Sequence, residues 1–176
     1  MVERHFVLGA TLAAALVHAG ASRAEAKRAA ATLHDAQGKD VGTVSLEETP
    51  NGVLIRGELA GLPPGAKGFH IHDKGACTPN FEAAGGHFNP TGAAHGFESK
   101  AGPHLGDLPN LHVPANGRVT VEVFARGVTL GEGPTSLVAG DGTAIVVHAG
   151  ADDYETDPAG AAGARLACGV IRPSAK

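Results

Sequence analysis

The chain carries ten histidines against only two cysteines, and six of the histidines, with one aspartate, follow an order that suits metal chemistry. His70 and His72 stand at i and i+2 in Gly68-Phe69-His70-Ile71-His72. In a strand those positions share a face, so the two imidazoles project together while Phe69 and Ile71 turn to the core. Paired imidazoles suit a transition metal such as copper or zinc, although an isolated pair fits an exposed polar face equally well. His87, His95 and His104 follow at gaps of eight and nine, and Asp107 stands three positions after His104. Glycines and prolines surround them, among them Gly86, Pro90, Gly96, Pro103 and Gly106, so this stretch can fold ligands inward without a regular backbone. His148 closes the apolar run Ala144-Ile145-Val146-Val147.

Seven such residues exceed one tetrahedral shell and divide more naturally between two metals. Three imidazoles and a carboxylate make a closed zinc site, which holds a loop in place. An all-imidazole set with an open position suits copper, which can change oxidation state. Two four-ligand sites drawn from seven residues require one imidazole to bridge, and spacing does not say which.

These ligands need a frame, and the sequence predicts an all-β one. Val53, Ile55 and Leu59 share one face of a period-two run, and Val119, Val121 and Val123 share another. Thr143–His148 and Arg165–Ile171 are further strands, and Ala29–His34 with Val41–Glu47 form an opening hairpin turning near Gly38. After the N-terminal segment, no window of 12 residues carries a helical stripe. With 26 glycines, 11 prolines and no tryptophan, the composition favours short strands and many turns in an antiparallel sandwich or flattened barrel. Residues 73–117 and 149–164 break the strand rhythm as two long loops, which in a compact domain of this size points to function. The formal charge of −4 argues against a general nucleic-acid binder, which needs a basic surface.

Residues 1–24 are predicted to be a secretory signal peptide. The apolar run Phe6–Ala21 follows Arg4 and His5, and small residues allow cleavage near 24–26, leaving a domain over 27–176. The run is shorter than the roughly 20 residues a spanning helix needs, and no other segment of the mature form would cross a membrane. In an oxidising compartment Cys77 and Cys168, the only cysteines, are free to pair. Closing so long a loop is worth about 4–5 kcal/mol in chain entropy.

Five blocks taken together closely resemble copper/zinc superoxide dismutases, and the export signal with the run Asp107-Leu108-Pro109-Asn110-Leu111 resembles the bacterial periplasmic type. The five blocks are Gly68-Phe69-His70-Ile71-His72, Gly86-His87-Phe88-Asn89-Pro90, His104-Leu105-Gly106-Asp107-Leu108, Val146-Val147-His148 and Arg165-Leu166-Ala167-Cys168-Gly169-Val170. The resemblance runs over about residues 27–172. It implies an antiparallel Greek-key β-sandwich or flattened barrel with two long functional loops, one copper and one zinc per subunit, and a homodimer or a monomer. It assigns His70, His72, His87 and His148 to copper, and His87, His95, His104 and Asp107 to zinc, with His87 as the bridge. It matches Cys77 and Cys168 to the family disulfide, and Arg165 to an arginine beside the copper. Asp152 matches a carboxylate linking a copper ligand, His70, to a zinc ligand, His95. The activity implied is conversion of superoxide to dioxygen and hydrogen peroxide through a copper that is reduced and reoxidised. His87 would leave the copper and take up a proton on reduction.

One region departs from the expected pattern. Residues 149–164 contain no Lys or Arg but four acids, Asp152, Asp153, Glu155 and Asp157, so the sequence gives no ground for expecting this loop to guide anions. Lys74, Lys100, His34 and His112 read as solvated residues. Two other readings stand beside the enzyme. One is a periplasmic copper/zinc storage or delivery domain of the same fold; the other is a structural sandwich holding zinc alone. His148 and Arg165 argue against the first, since a carrier needs neither an open redox site nor an anion guide; a copper content near zero in protein purified with both metals available would favour the second.

Overall fold

The computed structural model describes Met1 and residues 26–174, so the predicted signal peptide lies almost wholly outside the described residues. Nine antiparallel strands follow one another: β1 (Arg28–Asp35), β2 (Asp40–Thr49), β3 (Gly52–Ala60), β4 (Gly65–His72), β5 (Asp107–Val113), β6 (Arg118–Arg126), β7 (Ala144–His148), β8 (Arg165–Val170) and β9 (Arg172–Pro173). Period-two patterning sets their faces: Ala29, Ala31 and Leu33 in β1 and Val53, Ile55 and Leu59 in β3 are buried, while Arg28, Thr32 and Arg56 stay in solvent. His34 and His112 lie on exposed strand positions, as the sequence suggests.

The ladder runs β5-β4-β7-β8-β1-β2-β3-β6, with β9 added to β1. Its end strands, β5 and β6, are consecutive in the chain and pack together, so the sheet curls into a nearly closed, flattened barrel. The β3–β4 and β6–β7 connections cross to the far part of the ladder, which is a Greek-key arrangement. Among the described residues, no helix is long and apolar enough to cross a membrane.

Strands β4 and β7 are buried on both faces. Phe69, Ile71, Ile145 and Val147 fill the barrel, while His70, His72 and His148 on the same strands are buried under the loops. A second small apolar cluster, Ala84, Ala144, Val146 and Cys168, lies against Cys77 and Phe81. The Cys77–Cys168 disulfide therefore pins the long β4–β5 connection, with its one 3₁₀ turn at Phe81–Ala84, onto β8.

The first long loop is shorter than the sequence suggested. Instead of running to 117, it ends where β5 begins at Asp107. Pro109 hides this strand from pattern reading, but β5 forms one end of the ladder and Pro109 points to solvent, where its missing N–H is tolerated. A third long connection, 127–143, went unremarked in the sequence. The Glu48 carboxylate latches it, accepting from the Thr129 hydroxyl and the Leu130 N–H, each at 2.9 Å.

Candidate metal centre

The loop enters the site through close backbone contact. Phe88 N–H donates to Ile71 O at 2.8 Å, Ile71 N–H to Gly106 O at 2.9 Å, and Gly106 N–H to Phe88 O at 2.9 Å. A Cβ on Gly106 would collide with Ile71 O, so only glycine lets the three segments meet there. His72 and His87 form a bridge across this junction.

The seven side chains singled out in the sequence come together in two groups. His70, His72, His87 and His148 offer ligand atoms within 4.8 Å of one another, and so do His87, His95, His104 and Asp107. All are buried, and His87 belongs to both groups, the position that spacing alone left open. In the second group Asp107 Oδ1 lies 2.8, 3.1 and 3.2 Å from the Nδ1 atoms of His87, His95 and His104. Asp107 Oδ2 accepts the N–H groups of Gly96 and His104 at 2.9 and 3.0 Å, which aims the other oxygen at the imidazoles.

Tautomer logic tests whether metal ions fit. His72 Nδ1 faces Gly85 O at 3.0 Å and His148 Nδ1 faces Gly163 O at 3.1 Å. A carbonyl only accepts, so each ring donates from Nδ1 and leaves Nε2 as a bare lone pair. Those two lone pairs face each other at 3.3 Å, which asks for a cation between them. His70 donates from Nε2 to Asp152 Oδ2 at 2.7 Å, leaving Nδ1 buried without a partner. His87 Nε2 is likewise buried and unpartnered. His95 meets carboxylates on both sides, Asp152 Oδ1 at 3.0 Å from Nε2 and Asp107 Oδ1 at 3.1 Å from Nδ1, though a neutral ring donates only once. Bare nitrogens converging on one point, with their second nitrogens anchored, are what a metal site requires.

The electrostatics agree. Burial pulls the His70 and His148 imidazoles down to about 4 and His72 to about 2 from an ordinary 6.5. Burial lowers His104 as well. These rings are neutral at pH 7, with lone pairs free. Burial pushes the Asp107 carboxyl up, but hydrogen bonds from His87 and Gly96, with His95 and His104 nearby, outweigh it and hold the group at about 2. Asp152 is lowered too: the same competition is won by hydrogen bonds from His70, His95 and the Tyr154 N–H.

Arg165, at the start of β8, shares with His72, His87 and His148 the wall of a cavity of about 320 Å³. Asp152 meets His70 and His95, as noted above. Several supporting contacts were not read from the sequence. Asn110 clasps Asp152 by both backbone groups, accepting its N–H and donating to its carbonyl, each at 2.8 Å. The Tyr154 hydroxyl accepts the Asn110 N–H at 2.8 Å, and Asp157 accepts the His95 N–H at 2.7 Å. The one available signal was that Tyr154 is the chain's single tyrosine, beside the aspartate of interest. Gly160 packs against Asp152 and His95 so closely that a Cβ would strike both, and its φ of +65° favours glycine as well.

A Greek-key barrel whose buried imidazoles and one shared histidine form two adjoining ligand sets defines a two-metal β-barrel protein. The family model for copper/zinc superoxide dismutase matches residues 41–171. A copper-zinc superoxide dismutase of Aquifex aeolicus is 47% identical over 94% of this chain and 98% of its own. One from Caulobacter vibrioides is 45% identical over 82% and 85%. A crystal structure of a SOD-like protein from Bacillus subtilis superposes with a TM-score of 0.78 at 40% identity, covering 81% of this chain and 97% of that one. The chain belongs to the copper/zinc superoxide dismutase family.

Proposed function

We propose that this chain converts superoxide to dioxygen and hydrogen peroxide, with copper held by His70, His72, His87 and His148 and zinc by His87, His95, His104 and Asp107. The observation that carries this assignment is His87, whose ring belongs to both ligand groups and whose Nε2 has no protein partner. When bound, copper supplies one-electron exchange in the all-imidazole group, and zinc closes the mixed group without redox change. The chain's own residues do the rest. Arg165 presents fixed positive charge to an anion entering the cavity it shares with His72, His87 and His148. His87 Nε2 is the nitrogen able to hold a proton for the peroxide product. Asp152 fixes the ring orientation of His70 and His95 through their outer nitrogens.

We also propose that residues 1–24 direct export to the periplasm. The small-residue stretch after Ala21 and the Cys77–Cys168 disulfide, which an oxidising compartment sustains, support that reading. A homodimer is the quaternary state expected from the family, checked by light scattering. Superoxide consumption by the mature chain, measured beside its copper and zinc content, tests the activity. A protein holding one of each metal and consuming no superoxide would overturn it and favour metal storage or delivery.

A further inference from the structure

Arg165 is held more firmly than anion guidance alone requires. Its Nη1 donates to Phe81 O at 2.6 Å and its Nη2 to Gly85 O at 2.7 Å, so two carbonyls of one turn fix the guanidinium plane. Nη2 also lies 3.4 Å from the carboxylate of Glu82, on that same turn. The Arg165 side chain is 15% exposed and that of Glu82 74%. Two carbonyl acceptors already fix the guanidinium plane, and the exposed Glu82 carboxylate is a longer, third contact on Nη2. What it adds is negative charge.

That charge matters because the surroundings supply so little of the other sign. Among the residues lining the cavity over the imidazoles, Arg165 is the one permanent cation. Pro158 and Ala159 come to the same wall from residues 149–164, which contain no Lys or Arg. An anion at a distance therefore meets an ion pair, whose field falls off faster than that of a lone charge. Near the cavity mouth an anion meets Arg165, which lines the wall, rather than Glu82, which does not, and the attraction returns.

We propose that Glu82 sets the rate at which anions reach this centre by cancelling part of the Arg165 field. It acts through Arg165 as a positioning residue for the substrate's approach, without touching superoxide. The inference rests on the dismutase reading above and assigns a rate-setting role to a residue outside both ligand groups.

The test compares wild type with Glu82→Gln, Glu82→Lys and Glu82→Asp, matched for copper, zinc and thermal midpoint. Two readouts are taken at low and at physiological ionic strength. One is the second-order rate with superoxide; the other is azide affinity, read from its copper(II) charge-transfer absorption. At low ionic strength each added unit of positive charge should raise the rate about twofold and tighten azide binding by a similar factor. Added salt should bring the variants together, and Glu82→Asp should stay at the wild-type value. Equal rates and equal azide affinities across the charge series would overturn the proposal. So would a fall in Glu82→Gln, which would make the carboxylate an anchor for Arg165. If the wild type holds both metals yet consumes no superoxide, the dismutase reading fails instead, and the azide series still decides the electrostatic claim.

Discussion

The two ligand groups are neighbours, but different parts of the molecule hold them. His70, His72 and His148 stand on β4 and β7, adjacent antiparallel strands whose register is fixed through Phe69↔Val147 and His72↔Ala144. His87, His95 and His104 belong to the connection between β4 and β5, and only Asp107, the first residue of β5, is on the barrel. The ladder thus shapes most of the first group before any ion arrives. The second must order a long loop, at a conformational cost that a closed ion can offset. The strand-borne group is suited to chemistry that needs a constant geometry, and the loop-borne group to holding structure together. His87 and Asp152 join them.

The sharpest break of this contrast is His148→Ala. It removes a strand-borne nitrogen, and dismutation should fall by more than about 100-fold while zinc content is retained. Zinc loss of equal extent would mean the two groups do not load separately. Asp152→Ala comes next. It leaves one ring in each group without its outer partner, so affinity for both metals should fall about 10–100-fold in competition with a chelator. A loss confined to one metal would show that Asp152 serves a single site. Chelating both metals should then raise amide exchange in 73–106 about tenfold more than in β4 and β7. A uniform rise would erase the distinction between loop and ladder.

A further check concerns acid. In the metal-free protein His70, His72 and His148 have lowered values, so below 6.5 the unfolded chain binds more protons than the folded one. Stability present above pH 6.5 should therefore be lost as pH falls toward about 4. Urea midpoints against pH would show it, and a flat profile across that window would contradict the burial of these rings.

The ligands were legible because their chemistry lies in residue type and short spacing. His70 and His72 announce a shared strand face, and the Asp107 run announces itself through His104. Apart from Asp152, which the family resemblance supplied, what holds them and the connections around the barrel was not legible, because it depends on contacts across long stretches of chain. Asn110 reaches Asp152 at a separation of 42 residues, Glu48 reaches Leu130 at 82, and Arg165 reaches Phe81 at 84. No local pattern marks such partners. Strand β5 was lost for a different reason: Pro109 reads as a turn until the strand is known to lie at the end of the ladder. Likewise, the i, i+2 spacing sets His70 and His72 on one strand face but does not reveal that the loops bury that face as well.

Asp152 has a consequence beyond orientation. Its two oxygens reach one ring of each group, so occupancy of either site alters the free energy of filling the other. Linkage makes that influence mutual: if zinc changes the affinity for copper by some factor, copper must change the affinity for zinc by the same factor. The order in which the ions arrive can alter how fast the centre assembles, but not the free energy of the doubly loaded state.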